Sequence, residues 1–275
     1  MTVGASRHES MRGLTTSRPA LAVIIGRAGS KGVPGKNAMP IAGKPCAQWT
    51  IEHARTSETV GYIALSSDDP RLIALAHESG IGVATRSKEL ASDTATVDAA
   101  VCEAITQLEA VAFGGKPLPA TAPIVILYAN APVRPTGLID RAVRRMLETS
   151  CDSVQSYAPV GKMHPYWMAR VESETGRVAP WEGTILNHNI YRRQDLPPAH
   201  IPDGGALVVT RRALFGEIIG VPPGPHACFG LDRRGVLNNE GDVVDIDSPI
   251  DALVADAILS KQLNHAEADR RADRK

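Results

Sequence analysis

Short apolar runs alternate with stretches of helical period along most of this chain. LAVII (21–25), GYIALSS (61–67), IGVATR (81–86), PIVILYA (123–129), DSVQSYAPV (152–160) and GGALVVT (204–210) have the length and β-branched content of strands. Between them, PCAQWTIEHARTS (45–57), DPRLIALAHESG (69–80), TATVDAAVCEAITQLEA (94–110) and TGLIDRAVRRMLETS (136–150) repeat apolar residues every three or four positions, as amphipathic helices do. Asp69, Thr94 and Thr136 stand as N-caps for three of these helices, and Gly80 suits a helix C-terminus. A further helix starts near Ser248 or Pro249. The charged NHAEADRRADRK reads as its end followed by a tail over 263–275. Strand–helix alternation predicts an α/β fold of three layers around a twisted, mainly parallel sheet, with right-handed crossovers. Ligands of such sheets bind beyond the C-terminal ends of the strands.

The pattern breaks between 161 and 203. HPYWMARVESETGRVAPW and NHNIYRRQDLPPAHIPDGG fit neither period and read as an insertion, not a second full domain. The main domain therefore spans 20–262, preceded by a flexible tail over 1–19. Thirty basic residues balance thirty acidic ones, so no global field favours nucleic acid or an anionic membrane. Affinity for a polyanion must come from a local cluster. Cys46, Cys102, Cys151 and Cys228 are scattered with no CxxC, which points away from a disulfide scaffold or zinc site and towards a reducing, cytoplasmic compartment. No apolar run approaches the roughly 20 residues of a membrane helix, and the first twenty residues have no apolar core, so a secretory signal is not expected.

The local cluster follows the first strand. In LAVIIGRAGSKGVPGKN, the glycines Gly26, Gly29, Gly32 and Gly35 are threaded with Arg27, Lys31 and Lys36. Bare backbone at the ligand edge lets N–H groups face an anion, and full charges beside it suit a polyphosphate. The spacing matches neither GxxxxGK[ST] nor GxGxxG, and a solvated glycine-rich turn with surface lysines is the plain alternative. A second candidate is DVVDIDSP, where Asp245 and Asp247 at i and i+2 of an extended segment share a side and could hold a hard cation. An Asx-rich turn before a helix has the same spacing.

These stretches together resemble the CMP-sialic acid synthetases, the acylneuraminate cytidylyltransferases. IIGRAGSKGVPGKN with IAGKPCAQWTIEHA is similar to the family's opening, and SSDD (66–69) to its S-T-D-D. RSKELASDTAT (86–96) is similar to R-P-x-E-L-A-S-D-T-A-S. LYANAPVRP (127–135) is a divergent L-Q-P-T-S-P-L-R. HPYW (164–167), RRQDLPP (192–198) and VDIDSPIDALVADAIL (244–259) match later segments in order. The resemblance implies a nucleotide-diphospho-sugar transferase, Rossmann-like fold and transfer of CMP from CTP to a 3-deoxy-2-ulosonic acid, with release of pyrophosphate.

It also implies roles. Arg27, Lys31 and Lys36, with Gly29, Ser30 and Asn37, would hold the triphosphate. Arg86 would lie by the cytosine, and Ser66, Ser67 and Asp68 by base or ribose. Ser92, Asp93 and Thr94, at the start of a helix, would meet the ligand, although Asp93 or Thr94 could simply cap. Asp245 and Asp247 would bind Mg²⁺, with Asp247 also counted among the catalytic groups. Arg193 would pair with the sugar carboxylate and Gln194 with a hydroxyl, unless the loop is merely solvated. His164 reads as structural. The insertion would form a homodimer and reach the partner's site. On the sugar side the sequence departs from the family. Tyr128 stands where the family has Gln, Ala129 for Pro and Asn130 for Thr, while DGGALVV (203–209) puts Asp203 or Gly204 at the Asn, and Leu207 or Val208 at the Tyr, of the family's Asn-Gly-Ala-Ile-Tyr. The acceptor therefore stays open among nonulosonic acids and Kdo, with another nucleotidyl transfer or an inactive nucleotide-binding homologue as alternatives.

Overall fold

The computed structural model describes residues 14–29 and 31–272 of the 275. Ser30 and most of the predicted N-terminal tail lie outside the described residues. In chain order the elements are β1 (Ala20–Ile25), β2 (Pro40–Ile41), β3 (Lys44–Pro45), α1 (Cys46–Thr56), β4 (Val60–Ser67), α2 (Pro70–Glu78), β5 (Gly82–Thr85), α3 (Val97–Val111), β6 (Pro123–Tyr128) and α4 (Leu138–Thr149). They continue with β7 (Ser153–Pro159), β8 (Ala169–Val171), β9 (Val178–Pro180), β10 (His200–Thr210), α5 (Arg211–Leu214), β11 (Arg233–Leu237) and α6 (Pro249–Ala272).

The main sheet has seven strands in the order β11-β7-β10-β6-β1-β4-β5. Only β10 runs against its neighbours, pairing antiparallel with β6 and β7. In the centre Ile25 pairs with both Ser66 and Tyr128, so β1, β4 and β6 end level and release their loops at one edge. Side chains along β1 alternate between two cores, as a strand covered on both faces requires. Ala20, Ala22 and Ile24 pack with α1, α2 and α4. Leu21, Val23 and Ile25 pack with α3 and Phe113. A third cluster sets α6, through Ala252, Ala255 and Leu259, on Trp49 and Ile41. That docking brings the segment before α6 to the sheet edge.

Several sequence expectations shift. The cap of α3 is Thr96, whose side chain accepts from the Ala99 N–H, so Ser92, Asp93 and Thr94 lie in turns before the helix. Gly137, at φ 74°, precedes α4 without a side-chain cap, so Thr136 does not serve. Asp69 does cap α2, accepting from the Arg71 N–H. β10 begins at His200, inside the predicted insertion, and its register slips between Pro202 and Leu207. The supposed tail from 263 is helical through Ala272. Residues 14–19 are also tied down, since Arg18 donates to the Ser57 and Glu58 carbonyls and Leu14 packs on the core around α3. Strand β11 was not foreseen. The 161–199 stretch forms single helical turns and the small β8–β9 ribbon.

Candidate active site

The loop that leaves β1 is built by close approach. An ideal Cβ on Gly32 would lie 2.4 Å from the Asp247 carbonyl oxygen, so only glycine lets this loop touch the segment before α6. Gly35 has φ +68° and turns the chain back towards Asn37. Gly29 faces open space, with nothing within 4 Å of its Cβ position. Asp68 fixes the loop from the side, accepting from the Ala28 N–H at 2.9 Å.

A cavity of about 380 Å³ opens at this edge. Arg27, Lys31, Lys36, Asn37, Arg86 and Asp247 line it, with Ser92 and Asp93 at the turn before α3 and Tyr128 and Asn130 after β6. The cations already hold internal anions. Arg27 Nη1 and Lys31 Nζ each lie 2.6 Å from an oxygen of Asp93, and Lys36 Nζ lies 2.6 Å from Asp247 Oδ1. Lys31, then Arg27, keeps the Asp93 carboxyl below its ordinary value. Asn37 is 4 % exposed. Its amide donates to the Arg27 carbonyl, while its buried Oδ1 has no partner among the described residues. Arg86 is buried and donates to the Ser66 carbonyl, and that burial lowers its pKa.

The half-buried Asp245 and the exposed Asp247 flank the buried Ile246, and of the two only Asp247 lines the cavity. Burial, and next the charge of Asp247, raises the Asp245 carboxyl above its ordinary value. The phenol of Tyr128 is raised by burial and by Asp245, which places the two groups in one field. Asn130 ties these parts together, donating to the Ile246 carbonyl at 3.2 Å and accepting from the Ile246 N–H at 2.8 Å. Among the described residues, no group of three or more His, Cys, Asp or Glu forms a metal cage. Asp245 and Asp247 offer hard oxygen donors, one of them shared with Lys36, and such a pair fits Mg²⁺, which keeps several waters and takes phosphate oxygens.

Other predicted site residues stand elsewhere. Ser67 is 0 % exposed and its hydroxyl accepts from the Asp69 N–H, so it faces no ligand space. Asp203 is engaged by the Ser156 hydroxyl, the Gly205 N–H and the Asn238 amide, which fixes the slip in β10. Arg193 pairs with Glu240, and neither it nor the exposed Gln194 lines the cavity. His164 is structural, bonded to the Pro197 carbonyl and the Tyr166 N–H. Two residues with structural duties escaped the sequence reading. Gly32 is invisible as special among evenly spaced glycines. Arg134 is buried, donating to the carbonyls of Tyr128, Ala131 and Gly205 and to the Thr50 hydroxyl.

Fold and site define a nucleotidyltransferase. A sequence model described as cytidylyltransferase matches residues 21–167, and the chain belongs to the cytidylyltransferase family. Its relatives support the resemblance to the CMP-sialic acid synthetases. The CMP-N,N'-diacetyllegionaminic acid synthase of Legionella pneumophila is 28 % identical over 244 residues, 87 % of this chain and 95 % of the relative. An N-acylneuraminate cytidylyltransferase of Streptococcus agalactiae is 29 % identical over 199 residues, 72 % of this chain and 45 % of that longer relative. A solved CMP:2-keto-3-deoxy-manno-octonic acid synthetase complexed with CTP shares the fold, at TM-score 0.62 and 16 % identity over 88 % of this chain and 99 % of the other. No described helix is long and apolar enough to cross a membrane.

Proposed function

We propose that this protein transfers the cytidylyl group of CTP to the 2-hydroxyl of a sialic-acid-like 3-deoxy-2-ulosonic acid, yielding the CMP-sugar and pyrophosphate. The carrying observation is that the three loop cations line one cavity with Asp93 and Asp247, Arg27 and Lys31 held by Asp93 and Lys36 by Asp247 of the carboxylate segment. Triphosphate oxygens replace Asp93 and Asp247 as partners of Arg27, Lys31 and Lys36, with Gly29, Ser30 and Asn37 around them. Arg86 takes the cytosine side, and Ser92 the neighbouring wall. The acceptor oxygen then bonds to the α-phosphorus as the bond to the pyrophosphate oxygen breaks. In-line placement and charge neutralisation by the loop cations lower the barrier, and no covalent enzyme intermediate is needed.

Asp245 and Asp247 are the residues that would hold Mg²⁺. Bound there, the ion neutralises triphosphate charge and acidifies the incoming hydroxyl. Asn130 lies beside the acceptor side of the cavity, and Asp203 acts there by shaping β10. Arg193 and Gln194 reach an acceptor carboxylate and hydroxyl from the inserted segment of a second copy, so the working unit is a homodimer. The exposed Trp181 and Tyr191 of that segment suit such an interface. Four unpaired cysteines and the need for CTP suit the cytoplasm. The names of the relatives favour a nonulosonic acceptor over Kdo, while an inactive homologue would not be expected to keep all three loop cations and both carboxylates.

Calorimetry with CTP, ATP, GTP and UTP tests the nucleotide assignment, and CTP is expected to bind most tightly. Asp245→Ala should keep CTP binding without divalent ion and lose at least about a hundredfold in turnover. Unchanged turnover in that variant would refute the proposed metal site.

A further inference from the structure

The Asp93 carboxylate bridges two cations that come from a different part of the chain. Its Oδ1 meets Arg27 Nη1 and its Oδ2 meets Lys31 Nζ, both at 2.6 Å. Two oxygens spread over a guanidinium and an ammonium are what a phosphate would present to the same groups. Asp93 has no capping duty to explain its place, because α3 is capped by Thr96. The turn that carries it is held by its own local bonds, including Ala91 N–H to the Ser87 carbonyl and the Ser92 hydroxyl to the Glu89 carbonyl. The ion pairs are open to solvent, with side-chain exposures of 31 % for Arg27, 82 % for Lys31 and 45 % for Asp93. Exposed pairs of this kind are weak and exchange readily.

We propose that Asp93 sets the affinity of the cavity for triphosphate as a resident competitor, holding Arg27 and Lys31 until phosphate displaces it. The proposal rests on the CTP reading above. It assigns Asp93 to the cations and not to the nucleotide. A competitor that recaptures both cations also helps pyrophosphate leave, so it limits product retention as well as substrate affinity.

The test is calorimetry on the full chain in EDTA, titrating CTP and, separately, inorganic tripolyphosphate. Asp93→Asn keeps the side-chain shape and removes the charge. It should tighten both ligands by roughly threefold to tenfold. Glu89→Gln removes an exposed charge from the same turn and should change either affinity by less than about twofold. Unchanged or weaker binding in Asp93→Asn overturns the proposal, weaker binding meaning that Asp93 touches the nucleotide. Equal tightening in Glu89→Gln overturns it as well, because general charge would then suffice. Tightening for CTP alone has the same force. If the wild-type chain binds neither ligand, the CTP reading itself fails, which is a separate outcome from failure of the competitor.

Discussion

Replacing Arg134 by Met should cost about 3–5 kcal/mol of folding stability, the range for breaking a buried charged network. The guanidinium is 5 % exposed. It donates from Nε to the Gly205 carbonyl at 2.7 Å, from Nη1 to the Thr50 hydroxyl at 2.9 Å and to the Ala131 carbonyl, and from Nη2 to the Tyr128 carbonyl at 3.0 Å. Burial lowers its pKa to about 10, so it stays charged at neutral pH. Burying the charge carries a desolvation penalty that Met would recover. Against this stand four bonds from a charged donor, at about 1.5–3 kcal/mol each. The Tyr128 carbonyl keeps the Ala131 N–H at 3.2 Å, and the Ala131 carbonyl keeps the Thr50 hydroxyl at 3.2 Å. The Gly205 carbonyl is left without this donor. The bonds outweigh the recovered penalty, and the loosened segment carries Tyr128 and Asn130 into the cavity. Urea unfolding of the full chain, followed by circular dichroism at pH 7, measures the difference. A loss below about 1 kcal/mol would refute the reasoning, since surface substitutions alone reach about half of that.

Other consequences are equally direct. Gly32→Ala places a methyl 2.4 Å from the Asp247 carbonyl and forces loop and carboxylate segment apart. A displacement near 1 Å should lower kcat/KM by about a hundredfold, read by steady-state kinetics with CTP. Asp140 and Asp152 titrate below their ordinary value. Burial alone would raise them, but hydrogen bonds win: Ser57 and Thr59 on Asp140, the Asp232 and Leu231 N–H groups on Asp152, together with Arg212. A lowered folded-state value means stability that is complete above about pH 4 and lost as pH falls through the folded values. Burial also holds the His53 imidazole down at about 4, so unfolding lets it protonate and urea midpoints should fall gradually from pH 7 to pH 5; they should fall further below pH 4, where Asp140→Asn should flatten the acid limb. Light scattering of the purified chain should give a dimer, because Val171, Trp181 and Tyr191 of the insertion are 63 %, 54 % and 86 % exposed. A clean monomer would remove the assignment of Arg193 and Gln194 to a partner's site.

The parts of this fold that a reader could take from the chain are those governed by period and by glycine. The central strands are continuous apolar runs between helices with an apolar face, and the loop cations stand out against Gly26 to Gly35. Degenerate chemistry hid other parts. The run from Thr94 to Thr96 offers two threonine caps within three residues, and only the packing of α3 on the sheet selects the second. β11 (RRGVL) pairs only with β7 at the sheet edge and buries only Val236, so it shows no apolar run. Beyond Leu263 α6 continues on Ala, Glu and Arg, good helix formers that need no core. Arg134 stands in the sequence only as part of LYANAPVRP, because no pattern along a chain announces that carbonyls of Tyr128, Ala131 and Gly205 and the Thr50 hydroxyl converge on it. Asp203 reads as a ligand group for the same reason, although its oxygens are turned to Ser156, Gly205 and Asn238.

The central claim is tested most directly by pyrophosphate release in the presence of CTP and Mg²⁺ against a panel of legionaminic, pseudaminic, N-acetylneuraminic and octulosonic acids, with ATP, GTP and UTP as controls. Release with CTP and a nonulosonic acid, and with no other nucleotide, is the predicted result. Release that ignores the base, or silence across the panel from a chain that binds CTP, would contradict it.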